Sequence, residues 1–142
     1  MKTILKVVPC VVQNFSLLCF YHPTEGNQIP KGTVNKAEPL IAAAIRELEE
    51  ESGIVHDGKD VESVGKFQIF FDDTECHIWN IFLFPSTGHP KSWSHIATGS
   101  LDEEGLKFVY FWQPLLKKAK EFSDPYIRVI EILKDHLKSK TQ

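Results

Sequence analysis

The chain has 142 residues, of which 42% are hydrophobic and 25% charged, and its formal net charge is −3. That size suits one domain over residues 1–142, large enough to bury roughly two-thirds of its unfolded surface. The charge balance excludes a broad nucleic-acid-binding face, no apolar run is long enough to span a membrane, and three scattered cysteines (Cys10, Cys19, Cys76) exclude both a disulfide framework and a C-x-x-C metal site.

Taken in order, residues 3–13 and 15–22 read as strands rich in Val, Leu, Phe and Cys, with Gln13-Asn14 at the turn. Lys6 and Pro9 interrupt the first apolar segment, so the start is read as a strand and not as a signal peptide. The odd number of cysteines suits buried thiols in a reducing compartment, and a cytoplasmic protein is expected. Thr24-Glu25-Gly26-Asn27 is a turn cluster, and a short strand leads to Gly32. Pro39 suits the first turn of a helix and Gly53 its end, which predicts a helix over residues 39–52. Asp57-Gly58 marks a turn, and strands are expected over 61–72 and 75–84 around Asp72-Asp73. Residues 85–105 form a long connection, and Leu106–Trp112 is another strand. Pro114 is expected to start one helical piece and Pro125 a second, whose stripe is Ile127, Ile130, Leu133 and Leu137. This order of strands and helices gives an α+β sandwich.

The helix over residues 39–52 carries the chemistry. Its expected apolar stripe is Leu40, Ile41, Ala44, Ile45 and Leu48. Glu47, Glu50 and Glu51 lie beside it at i, i+3 and i+4, with Ala43 in the same arc and Glu51 at the stripe's edge. Two carboxylates about 5 Å apart repel by about 3 kcal/mol at an effective dielectric near 20. A hard divalent ion turns that repulsion into coordination, and oxygen-only ligands favour Mg²⁺ or Mn²⁺.

The spacing continues outside the helix. Gly32, Glu38, Arg46-Glu47-Leu48, Glu50-Glu51 and Gly53-Ile54 match every required position of the Nudix box. Seven fixed positions coincide by chance less than once in about 10⁸ starts, and the chain resembles the Nudix hydrolases. The resemblance implies an α/β/α sandwich with a mixed β-sheet. It also implies metal-dependent hydrolysis of a nucleoside diphosphate linked to another moiety, here a nucleoside or dinucleoside polyphosphate. Residue by residue, it makes Glu50 and Glu51 metal ligands and Glu47 a ligand or the acceptor of water's proton. Arg46 becomes the cation that holds a carboxylate by a two-pronged pair. Gly32 becomes the residue whose carbonyl reaches the metal, and Glu38 a support for the loop.

Relatives often add an acid from the loop before the last strand. Asp102-Glu103-Glu104 occupies that place, and Glu104 is taken as a metal ligand, with Glu103 the alternative. His89 and His95 lie in the same connection, and His95 is taken as a substrate contact. Lys31, beside Gly32, is placed to offset phosphate charge. Among Phe67, Phe70, Phe71, Trp79 and Phe82, with Trp93 apart, Phe71 is taken as the ring that meets substrate. The positions that carry a proline in many ADP-ribose enzymes and a tyrosine in many diadenosine polyphosphate enzymes hold Ile69 and Phe71. Pro30-Lys31-Gly32 is similar to the corresponding segment of some dinucleoside polyphosphate hydrolases. The expected partner is thus a small nucleotide and neither a nucleic-acid polymer nor a membrane, with monomer and homodimer both open. The alternative is a Nudix-like nucleotide-binding module without turnover. Such modules tend to lose box glutamates, and this chain keeps all of them.

Overall fold

The structure, a computed structural model, describes residues 1–140. The elements are β1 (Lys2–Gln13), β2 (Ser16–His22), β3 (Gly26–Gln28), β4 (Gly32–Thr33), α1 (Leu40–Ser52), β5 (Glu62–Phe71), β6 (Glu75–Pro85), β7 (Trp93–Ile96), β8 (Lys107–Pro114) and α2 (Asp124–Lys140). The strands form one mixed sheet of order β5-β6-β1-β2-β8-β7, with β3 on β2 and β4 on β1. The β1–β6 pair is parallel, running from Lys2↔Glu75 to Val12↔Pro85, and the remaining pairs are antiparallel.

Both faces of the central strands are covered, which explains their continuous apolar runs. Side chains alternate along a strand. Val7 and Val11 of β1, Leu18 and Phe20 of β2, and Phe82 and Phe84 of β6 therefore pack with Ala43, Ala44 and Leu48 of α1. Val8 and Cys10, Leu17 and Cys19, and Trp79, Ile81 and Leu83 face the other way. They pack with Tyr126, Val129, Ile130 and Leu133 of α2. The result is the expected sandwich, α1 on one face and α2 on the other. No helix among the described residues is long and apolar enough to cross a membrane. The three cysteines are free and buried, and burial pushes the Cys10 and Cys19 thiols well up, so neither is a ready nucleophile.

The turns depart from expectation in small, explicable ways. The β1–β2 hairpin turns at Asn14-Phe15, both left-handed (φ 50° and 57°), one residue later than Gln13-Asn14. Pro114 ends β8 opposite Ser16 and starts no helix. The next N–H, of Leu115, bonds the Phe15 carbonyl at 3.1 Å, so that segment is tied to the hairpin. The long connection contains a strand, β7, that extends the sheet beside β8. In α2, Ile127 is 36% exposed and Tyr126 and Val129 take its expected place in the core.

Candidate active site

The glutamate helix sits on the sheet differently from its apolar pattern. Ile41 is 43% exposed, while Ala43, Glu47 and Glu51, an i, i+4 row, are 0%, 7% and 3% exposed. The small side chains of Ala43 and Ala44 let α1 approach the sheet closely, and that approach carries two carboxylates beneath the surface. Ala43 thus belongs to the core and does not open toward the site as expected. Pro39 precedes the helix in an extended conformation, and Gly53 ends it in a left-handed one at φ 82°.

One arginine organises the outer carboxylates. Arg46 forks onto Glu38, Nε to Oε2 and Nη2 to Oε1, both at 2.9 Å. Its Nη1 donates to Glu47 at 2.7 Å and to Glu50 at 3.3 Å, and Nη2 also donates to the Thr33 carbonyl at 3.0 Å. Arg46, with the Asn35 N–H, holds the Glu38 carboxyl down to about 2. Burial pushes Glu47 up, opposed by Arg46.

Glu51 has no arginine. Its Oε1 accepts the Lys31 N–H at 3.2 Å. Burial, followed by the nearby Glu103 charge, drives its pKa far up. A buried carboxyl beside a second carboxyl is disfavoured as a bare anion. Either a proton or a cation must therefore be held at this place. The Lys31 ammonium lies 4.7 Å from the Trp79 ring centre and 5.7 Å from that of Tyr126. Burial, then the Lys6 charge, lowers its pKa, against the pull of Glu51, Glu103 and Glu25.

Two glycines make room for the carboxylates. A Cβ on Gly32 would fall 1.9 Å from the Glu47 carboxyl carbon, and one on Gly99 2.3 Å from that of Glu50. Gly99 is also left-handed, at φ 82°. Above them opens a cavity of about 670 Å³ whose lining includes Lys6, Lys31, Glu47, Glu50, Asp102 and Glu103. Glu51 lies just under its floor.

The end of α1 is clamped from the sheet. The last carbonyls of a helix lack intrahelical partners, and no basic residue occupies this last turn. Instead the Tyr110 hydroxyl donates to the Glu51 carbonyl at 2.6 Å and the Trp93 indole to that of Ser52 at 2.9 Å. His95 Nε2 and the Thr98 N–H meet the Glu50 carbonyl at 3.2 and 3.1 Å.

Compared with known proteins, the chain matches the NUDIX domain family over residues 6–130. The chain belongs to the Nudix family. No protein of curated function matches it in sequence, but solved structures share its fold. A MutT Nudix hydrolase from Burkholderia pseudomallei superimposes with a TM-score of 0.72 at 16% identity, covering 94% of this chain and 99% of that one. A MutT protein from Methanosarcina mazei Go1 gives 0.68 at 18% identity, covering 99% and 97%. An Ap4A hydrolase of C. elegans gives 0.60 at 15% identity, covering 94% and 98%.

Set against this Nudix fold, several expected site residues lie elsewhere. Glu104 is exposed and points away from the cavity, its N–H bonded to the Ser100 carbonyl at 2.7 Å; Glu103 faces the box instead. His95 does not line the cavity. It belongs to β7 and packs on Gly53 at the end of α1, so its role is to hold the helix. Phe71 closes the β5–β6 hairpin against His77, with ring centres 4.4 Å apart and outside the cavity lining. Phe67, Trp79 and Phe82 are packing residues, and Trp93 stacks on Tyr110. His89 lies over Trp112, held through Gln13. Gly99, Lys6 and the clamp on α1 had no signal in a local reading, because each depends on a strand pairing distant in sequence.

Among the described residues no three His, Cys, Asp or Glu side chains are arranged to hold a metal ion as they stand. Arg46 supplies the countercharge between Glu47 and Glu50. The donor chemistry nonetheless fits a hard dication. Glu47, Glu50, Glu51 and Glu103 are oxygen ligands only, the glycine cradles leave space beside two of them, and the buried Glu51 carboxyl near Glu103 is disfavoured as a bare anion.

Proposed function

We propose that this Nudix protein is a Mg²⁺- or Mn²⁺-dependent pyrophosphohydrolase acting on a nucleoside or dinucleoside polyphosphate. The observation that carries the reading is the buried Glu51 carboxyl beneath a polar cavity lined by Glu47, Glu50 and Glu103, a crowding of acids that a hard cation would relieve. Glu50, Glu51 and Glu103, with the Gly32 carbonyl, would hold the ion, which supplies charge neutralisation and Lewis acidity toward the phosphates. In the reaction, water oxygen bonds to phosphorus while the bridging P–O bond breaks. The leaving phosphate takes the electron pair, and the attacking water loses a proton to the site.

Glu47 is suited to accept that proton. It is buried, burial pushes its carboxyl up against the pull of Arg46, and Arg46 fixes its orientation at 2.7 Å. Arg46 in turn is braced by Glu38, so the geometry is set before substrate arrives. Lys31, which lines the same cavity, offsets phosphate charge. Three free, buried thiols support work in a reducing compartment, the cytoplasm.

The test is phosphate and pyrophosphate release from a nucleotide panel with Mg²⁺, Mn²⁺ or chelator. Turnover of at least one nucleoside or dinucleoside polyphosphate that chelator abolishes is expected. Turnover confined to non-nucleotide phosphates, or indifferent to chelator, overturns the reading.

A further inference from the structure

The sheet ends in a long edge strand. Strand β5 is outermost in the order β5-β6-β1-β2-β8-β7 and pairs with β6 alone. Its outer edge therefore carries a row of backbone N–H and C=O groups that a further strand can receive. The two halves of that edge differ. At the start, Glu62 is tied to α2 by His136 at 2.9 Å and by Lys140, and the register slips between Ser63 and Gly65. A bulge and a charged, covered end both blunt an edge. From Lys66 to Phe71 neither device continues. Pairing with β6 runs without a slip from Lys66↔Asn80 to Phe71↔Glu75, and the segment holds no proline.

This open half is also apolar. Phe70 is 59% exposed and Phe71 45%. Side chains alternate along it. Phe67 and Ile69 pack at the margin of the core on the α2 side, while Lys66, Gln68 and Phe70 are exposed on the other. Asp72 follows at the hairpin turn, exposed like Lys66. Among the described residues neither Lys66 nor Asp72 forms an ion pair.

Symmetry limits how a second copy can pair here. Two antiparallel β5 strands related by a twofold axis normal to the sheet keep their faces, so residues of equal parity stand opposite one another. One such register brings opposite charges together within the open half. Centred on Ile69, it sets Ile69 against Ile69, Gln68 against Phe70, Phe67 against Phe71 and Lys66 against Asp72, each unlike pair occurring twice. Moving the centre to Gln68 or Phe70 sets Lys66 against Phe70 or Thr74 instead. The Ile69 register also covers both exposed rings, Phe71 meeting Phe67 on the α2 side and Phe70 lying beside Gln68 on the other.

We infer that the Lys66–Phe71 edge is the contact between two copies of this chain, which form a homodimer with one sheet continuous through both, in the register centred on Ile69. The surface lies apart from the glutamates, since no β5 residue lines their cavity. The dimer is therefore independent of the hydrolytic reading, and monomeric variants should keep any turnover the wild type has.

Sedimentation over roughly 1–200 µM should show a monomer–dimer equilibrium. Lys66→Glu and Asp72→Lys should each weaken it about tenfold, because each turns two attractive pairs repulsive. The double variant exchanges the charges and should recover the wild-type equilibrium. Residues paired across the axis have Cα atoms about 4.5–5.5 Å apart, within disulfide reach. Ile69→Cys treated with oxidised glutathione should therefore cross-link two copies, while Lys66→Cys, far from its own symmetry mate, should not. The native thiols are buried and do not compete, and thermal melts confirm that each variant is folded. A wild type that stays monomeric leaves the edge to another protein's strand or to water and overturns the proposal. A dimer that charge exchange does not restore, or that cross-links equally through Lys66→Cys, uses another face or register and overturns it as well.

Discussion

Gly32→Ala isolates the geometry of the site in a single methyl group. Gly32 has no left-handed backbone, so alanine meets no conformational penalty there and the cost is steric. The new Cβ would lie 1.9 Å from the Glu47 carboxyl carbon, 2.1 Å from Oε2 and 2.4 Å from Cγ, where ordinary contact begins at 3.4 Å. Gly32 cannot retreat, because β4 pairs with β1 at Val7↔Gly32. Nor can α1 lift freely, since the sheet holds its last carbonyls. The Glu47 carboxyl must therefore move by at least about 1.5 Å, breaking its 2.7 Å bond to Arg46. A displacement near 1 Å at a reacting centre can cost about 100-fold in rate, so kcat should fall at least that far. Overpacking adds about 1–3 kcal/mol of destabilisation, a drop in Tm of roughly 3–10 °C for a chain of this size. The assay pairs steady-state hydrolysis with thermal melts, using Gly88→Ala as comparison. Gly88 is left-handed (φ 81°) with nothing within 4 Å. It should lose about 1 kcal/mol and keep its kcat. A Gly32→Ala enzyme with kcat within about threefold of wild type would refute the reasoning.

Glu51→Gln should stabilise the ion-free protein while abolishing stabilisation by Mg²⁺. The amide can still accept from Lys31 and can donate to Glu103, and the buried charge is gone; a gain of about 1–3 kcal/mol is expected by thermal melts in chelator. The same carboxyl sets a pH dependence. Its native pKa is raised, so the folded state holds more protons than the unfolded one, and ion-free stability should fall as pH rises from about 4.5 through the raised pKa. Mg²⁺ or Glu51→Gln should flatten that slope, and a slope that persists in the variant would remove Glu51 as its source. Tyr110→Phe deletes the 2.6 Å hydroxyl bond to the Glu51 carbonyl. It should cost about 1–3 kcal/mol by leaving a buried acceptor unmet, and speed amide exchange at the end of α1; unchanged exchange there would mean the clamp is redundant.

The sequence was most readable where chemistry and local geometry coincide. The box lies in one contiguous stretch, and its spacing exposed Glu38, Arg46, Glu47, Glu50 and Glu51 together. Strands β1, β2, β5 and β6 were visible from apolar runs bounded by turns. What stayed hidden depends on pairing. Whether Glu103 or Glu104 faces the box is decided by a turn held through Ser100 and Ala97, and the two acids are chemically identical in sequence. His95 carried the signature of a loop histidine because β7 is short and gains its identity only beside β8. The rotation of α1 that buries Glu47 in place of Ile41 follows from the small size of Ala43 and Ala44, which an apolar-moment reading undervalues. Phe71 was one aromatic among several, and only the register Phe71↔Glu75 places it at the hairpin end.

The bonds from Tyr110, Trp93, His95 and Thr98 fall on the carbonyls of the residues that carry, or adjoin, the acidic side chains. Main chain and side chain of Glu50 and Glu51 are thereby held separately, the one by the sheet, the other by Arg46 and the Lys31 N–H. An incoming ion can be accommodated only by torsions about the glutamate stems, over a travel set by those stems. The jaw has a fixed hinge and a short stroke, and ions of larger radius would be disfavoured by reach as much as by charge.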